Sequence, residues 1–139
     1  MVQRKIDIHK AAGVLLNDMK FLVTRTKGKN FFIAPGGKVE KSETVQEALI
    51  RELAEELGIA VSKGDLEEFG TFYAPAAGRE DQFLQMDVFL VKKWDGEIVP
   101  TGEVEEAIWI DSNPPVDLKL GSIFQHDVLP KLKEQKLIA

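Results

Sequence analysis

The chain has 139 residues, no cysteine, and 23 Asp+Glu against 18 Lys+Arg, for a net charge of -5. That length suits one domain, residues 1–139, with a core of its own. Lack of cysteine excludes disulfide scaffolds, thiolate metal sites and cysteine nucleophiles, and fits a reducing cytoplasm. The acidic balance argues against a partner that is a nucleic acid polymer. Apolar runs fall well short of the ~18 residues a membrane helix needs, and Met1 to Asp7 carries no apolar signal core. An anionic ligand would therefore need local cations or a metal.

In chain order, Ile6 to Leu16 reads as a strand, Asn17-Asp18 as a turn and Phe21 to Thr24 as a second strand, together a hairpin. Lys27 to Asn30 is a basic loop. Phe31-Phe32-Ile33 is short and β-prone. Ala34-Pro35-Gly36-Gly37-Lys38 is a cluster of breakers, expected to be irregular backbone. The next segment is the clearest helix: Thr44 and Glu47 form a capping-box pair, Leu49, Leu53 and Leu57 recur every four residues, and Gly58 follows as a stop. Further strands are expected at about residues 68–73, 83–92 and 107–110. Asn113-Pro114-Pro115 is a loop. Ser122 with Gln125 is the expected cap of a last helix to about Leu137, kinked or divided at Pro130. The pattern predicts an α/β fold, a mixed sheet with flanking helices.

The central helix carries the chemistry. At ~100° per residue, Glu55 and Glu56 fall on either side of Glu52, on one face roughly 100° wide and away from the leucine stripe. Like charges at these spacings repel, so the face calls for a cation. An all-carboxylate set without Cys or His specifies a hard ion, Mg²⁺ or Mn²⁺, which recruits phosphate oxygens as further ligands. Glutamate-rich helices are also common as plain solvated faces, so the acids alone do not decide.

The surrounding residues do more. Gly37, Glu43, Arg51-Glu52-Leu53, Glu55-Glu56 and Gly58-Ile59 stand at spacings that resemble the complete Nudix box of the Nudix hydrolases, without departure. The resemblance implies an α/β/α sandwich around a mixed sheet. It implies metal-dependent, MutT-like hydrolysis of a nucleoside diphosphate linked to another group. Glu52, Glu55 and Glu56 would ligate Mg²⁺ together with the Gly37 carbonyl. One glutamate, Glu52 foremost, would orient or deprotonate the attacking water. Glu43 would pair with Arg51, which agrees with the tendency of a guanidinium to fix an acidic cluster bidentately.

Residues outside the box are weaker candidates. Glu103 lies where relatives place a further metal-binding or base-like acid, with Glu105 and Glu106 as substitutes; the alternative is a solvated acidic loop. Arg25 and Lys38, with Lys27 nearby, are candidate phosphate contacts or plain surface cations. Phe31, Phe32, Phe72 and Tyr73 can stack on a base, but core packing is the better expectation for each. Gln85 and Asp87 line the cleft if their strand parity is right. Gln125, and less so His126, are candidate base readers. His9 is expected to make an ordinary strand hydrogen bond.

The favoured substrate is a nucleoside triphosphate, including an oxidised one, cleaved to the monophosphate and pyrophosphate. ADP-ribose and dinucleoside polyphosphates are the alternatives within the same chemistry. A non-catalytic nucleotide-binding module is the alternative of another class, disfavoured because the acids are intact. Many relatives dimerise, so a homodimer is open, though nothing in the sequence marks an interface.

Overall fold

The computed structural model describes residues 5–76 and 79–139, the side chains of residues 79 and 80 aside. Met1 to Arg4, part of the segment scanned for a signal core, lies outside the described residues. The elements are β1 (Ile8–Asn17), β2 (Lys20–Thr26), β3 (Gly36–Lys38), α1 (Val45–Leu57), β4 (Leu66–Ala76), β5 (Arg79–Val91), β6 (Val104–Ile110) and α2 (Leu129–Glu134). Among the described residues, no helix is long and apolar enough to cross a membrane.

The sheet runs β4-β5-β1-β2-β6, with β3 paired to β1 beside β2. β1 and β5 are parallel, pairing His9 with Gln85 and Lys10 with Met86, while the other pairs are antiparallel. Period-two alternation sends successive residues of β1 to opposite faces. Ala11 and Leu15 join Leu22, Phe89 and Val91 beneath the α1 leucines, Leu49, Leu53 and Leu57. Ala12 and Val14 join Phe21, Val23, Met86 and Val88 beneath the C-terminal Phe124, Val128 and Leu132. Helices thus cover both faces, the layered sandwich expected.

Several local readings shift. The hairpin turns at Asp18-Met19, both with positive φ, one residue later than expected, because two residues of that hand match the strand twist. Gly36–Lys38 is not irregular: it is a short strand lying antiparallel to Lys10–Ala12. The glycines that look like breakers in sequence are there for close approach, as a Cβ on Gly36 would sit 2.0 Å from the Ala11 carbonyl oxygen. Phe32 and Ile33 make only isolated bridges.

α1 begins and ends as its sequence dictates. The Thr44 hydroxyl accepts the Glu47 amide, the Glu47 carboxylate accepts the Thr44 amide, and Gly58 closes the helix at φ +69°. The last helix differs from expectation. Ser122 lies within it rather than capping it, and the Gln125 amide donates to the Gly121 carbonyl. Residues Phe124–Val128 widen into a π-helical stretch directly before Leu129–Glu134, which carries Pro130 in its first turn. Proline has no amide to continue the α ladder, and a widened turn accommodates that loss.

Candidate active site

α1 lies against the glycine strand at one edge of the leucine stripe. Gly37 pairs with Ala11 and turns toward the helix, and a Cβ there would come within 2.6 Å of the Glu52 carboxylate. The Gly36 amide donates to Glu56 Oε1 at 3.3 Å. Glu56 is largely enclosed, and burial, the hydrogen bond it shares with Glu52 and the charge of Glu52 raise its pKa well above the usual carboxylate range. Glu52 and Glu56 are thus a carboxyl pair sharing a hydrogen bond, with a backbone donor on one side.

Arg51 fixes this pair from outside. Its Nε and Nη2 donate to Glu43 at 2.8 and 2.9 Å, its Nη1 donates to Glu52 at 2.6 Å, and Nη2 also donates to the Lys38 carbonyl at 3.1 Å. One planar guanidinium therefore ties the helix, the loop before it and β3 into a single geometry. The Arg51 guanidinium and the Glu40 amide hold the Glu43 carboxyl down at about 2. Glu55 is more exposed, and its carboxylate lies 3.6 Å from Arg51 Nη1.

The C-terminal end of α1 is held by the loop that leads into β6. Thr101 donates through its hydroxyl to the Glu55 carbonyl and through its amide to the Glu56 carbonyl, at 2.5 and 2.8 Å. Two residues on, the Glu103 carbonyl accepts the Lys27 amide at 2.8 Å. Glu103 is exposed and stands on the loop that grips the acid helix. Nothing in the sequence pattern singled out Thr101.

On the far side of β3 lies a cavity of about 360 Å³. Its wall is mostly apolar, with Phe31, Ile33, Met86 and Phe124, and among the described residues it carries three cations, Lys10, Lys29 and Lys38. Lys38 follows Gly37 and pairs with Lys10 across β3 and β1, so the three-residue strand has the acids at its back and lysines at its front. Burial, and then the like charge of Lys38, push the Lys10 ammonium below its ordinary value, while Glu56 and Glu52 oppose that shift. Lys10 was missed as a functional residue. Its signal is present in the sequence, since Ile8, Lys10, Ala12 and Val14 share one strand face and only one of them is charged.

Other candidates are placed elsewhere. Arg25 is held by Glu105 and Glu106 at 2.9 and 3.2 Å, and it donates to the Lys29 carbonyl at 3.2 Å. It braces the basic loop rather than lining the cavity. Gln85 and Asp87 take the α1 face of the sheet, the parity opposite to the cavity. There His9 Nε2 lies 2.5 Å from Asp87 Oδ2, and Thr71 donates to Asp87 Oδ1 at 2.6 Å. Gln125 and His126 are exposed and do not line the cavity. Phe32 and Phe72 pack on the core, as expected, Tyr73 stacks on Phe83, and of the four aromatic candidates Phe31 lines the cavity.

The acids suit a hard divalent cation by chemistry: every donor is oxygen, and two carboxyls crowd together where a positive charge would relieve them. In the observed side-chain arrangement the set is not closed. Among the described residues no three metal-ligating side chains gather around one point, and Glu55 lies toward Arg51.

The deciding comparison is with known sequences. The profile of the NUDIX domain matches residues 7–132. This chain belongs to the Nudix family. It is 34% identical over 126 residues to the 8-oxo-dGTP diphosphatase of Haemophilus influenzae, covering 81% of this chain and 88% of that one. It is 32% identical over 104 residues to the ADP-ribose pyrophosphatase of Methanocaldococcus jannaschii, covering 73% and 60%. The fold matches the MutT NUDIX hydrolase of Burkholderia pseudomallei with a TM-score of 0.72 at 23% identity, over 91% of this chain and 95% of that one. The chain is a Nudix pyrophosphohydrolase, an enzyme that cleaves the phosphoanhydride of nucleoside diphosphate derivatives, and enzymes of this family generally use a divalent metal ion.

Proposed function

We propose that the chain hydrolyses a nucleoside triphosphate to the monophosphate and pyrophosphate, with Mg²⁺ on the acid face of α1 and the nucleoside in the cavity beyond β3. One observation carries this reading: the Glu52–Glu56 pair lies behind a strand three residues long whose front presents Lys38 to an apolar cavity. Similarity to an 8-oxo-dGTP diphosphatase supports the substrate class. Glu52, Glu56 and a turned Glu55 would hold the ion with the Gly37 carbonyl, and Glu103 stands on the neighbouring loop. The bound ion supplies neutralisation of phosphoryl charge and a more acidic bound water.

The chain's own groups do the rest. Lys38 and Lys29, at the cavity rim, hold the phosphates. Phe31 and Met86 offer faces to a flat base. Arg51 keeps one Glu52 oxygen occupied and so orients the other. Glu52 takes the proton of the attacking water as oxygen adds to phosphorus. The P–O bond to the departing pyrophosphate breaks, and the bridging oxygen keeps the electron pair. Positioning and charge neutralisation carry such a reaction.

The test is a panel of nucleoside triphosphates, ADP-ribose and dinucleoside polyphosphates with Mg²⁺, with products identified. Pyrophosphate and monophosphate from a triphosphate, lost on chelation and in Glu52→Gln, is the expected result. Turnover confined to ADP-ribose, or unaffected by chelation, overturns the assignment.

A further inference from the structure

Of the three lysines on the cavity wall, Lys29 and Lys38 are exposed and Lys10 is the half-buried one. On its own strand face Lys10 stands between Ile8 and Ala12, and across the parallel pairing it meets Met86. Among the described residues its ammonium has no hydrogen-bond or ion-pair partner. An ammonium carries three donors and no acceptor, so at this depth it is a donor without a receiver.

The rest of the lining sharpens the point. Among the described residues no Asp, Glu, Asn, Gln or His lines the cavity, and the polar side chains there besides the lysines are Thr26 and Ser122. A ring seated between Phe31 and Met86 therefore meets a wall rich in donors and poor in acceptors. An exocyclic amino group opposite Lys10 would set donor against cationic donor, leaving both unpaired. A keto oxygen at the same place would accept a charge-assisted hydrogen bond. The exposed lysines at the rim are left for the phosphates.

We propose that Lys10 sets base specificity in this pocket, donating from Nζ to a ring keto oxygen, so that keto bases are taken in preference to their amino counterparts. The inference rests on the cavity being the nucleotide pocket. It identifies a class of base, the hypoxanthine, guanine, uracil and thymine type, by the keto oxygen they carry where adenine and cytosine carry an amino group.

Isosteric pairs bracket that edge. ITP and ATP differ at C6, keto against amino, with N1 a donor in the first and an acceptor in the second. UTP and CTP differ likewise at C4 and N3, so the Lys10 variants assign the effect to the keto oxygen. We expect kcat/KM of the wild type to favour ITP over ATP and UTP over CTP by roughly 10–100-fold. Lys10→Met should bring each ratio to within about threefold, while Lys10→Arg, which keeps a cationic donor, should retain the preference. Lys29→Met should lower all four substrates alike and leave the ratios standing. Thermal melting of each variant separates a lost contact from a lost fold. Wild-type ratios near one overturn the inference. So does a Lys10→Met variant that lowers all four by a common factor, which would make Lys10 a phosphate contact. Both outcomes leave the triphosphatase reading intact. Failure of the wild type to hydrolyse any of the four, with turnover of another diphosphate compound, rejects that reading and the inference with it.

Discussion

The acid edge of α1 and the cavity wall meet at β3, but they are built in opposite ways. At the acid edge nearly every polar group is bound to another from the same short stretch: Thr44 to Glu47, Arg51 to Glu43 and Glu52, Gly36 to Glu56. The cavity wall draws Lys10 from β1, Lys29 from a loop, Met86 from β5 and Phe124 from the last helix. The first is a local, over-determined frame, and the second is an assembly of distant side chains with spare donors. A frame of that kind fixes reacting groups, whereas a wall of that kind can vary with the ligand. Changes at the acid edge should therefore act on kcat for every substrate, and changes on the wall inside the lysine rim, at Lys10 above all, should act on which substrate is taken.

The sharpest break of this contrast is at Glu52 and Glu56. Glu52→Gln keeps shape and hydrogen-bonding capacity but removes the charge and the proton acceptor. We expect kcat to fall by about 10²–10⁴-fold on all substrates, read as pyrophosphate release. Melting should show the folded state retained, since the Gln amide oxygen can still accept from Arg51 Nη1 or Glu56.

Adjacent glycines offer the next test. A Cβ on Gly36 meets the Ala11 backbone at 2.0 Å, and φ there is +154°. Backbone cannot swing aside, so Gly36→Ala should lower stability by more than the ~1–3 kcal/mol of strain alone, read from denaturant unfolding. A Cβ on Gly37 meets the Glu52 carboxylate at 2.6 Å, and a side chain can move. Gly37→Ala should keep most of the stability while displacing Glu52, with a loss on the order of 10²-fold in kcat. Equal effects of the two substitutions on stability would remove the distinction between frame and side chain.

The same contrast explains what the sequence could disclose. The acid edge was legible because its parts are close in the chain: a capping pair three residues apart, glutamates at helical spacing, Arg51 within reach of Glu43. Gly36-Gly37 read as breakers because the pattern does not show which backbone approaches them. Ala11, more than twenty residues upstream, is what turns them into a strand. Lys10 stood out only as the one charge on its strand face, and that charge gains a meaning only once the cavity above it is known. Arg25 looked free because Glu105 and Glu106, on another strand, neutralise it only after folding.

Acid titration probes the frame more gently. The Glu43 carboxyl is held down at about 2 by Arg51 and the Glu40 amide, against an ordinary value of 4.5. A depressed carboxylate contributes stability that is fully present above the unfolded value and lost as pH falls through the folded one. That window runs from 4.5 down to about 2. Glu43→Gln, which cannot titrate, should show a shallower fall of melting temperature across it. An unchanged slope would mean that the ion pair with Arg51 adds nothing to the fold in solution.

The smallest effect is expected at Arg25, and it separates two roles that a basic residue near phosphates can play. Its guanidinium is already paired with Glu105 and Glu106, both of which raise its pKa further above the ordinary value. A cation so engaged has little charge left for a ligand, and exposed pairs of this kind contribute little to stability. Its remaining bond is to the Lys29 carbonyl, which sets the backbone of the loop that brings Lys29 to the cavity. Arg25→Met should therefore raise KM by no more than about fivefold and leave kcat unchanged, consistent with one lost neutral-acceptor bond. Salt should not mimic the substitution. A direct phosphate contact would instead lose a charge-assisted bond, with a drop in kcat/KM of at least about tenfold that grows at low ionic strength.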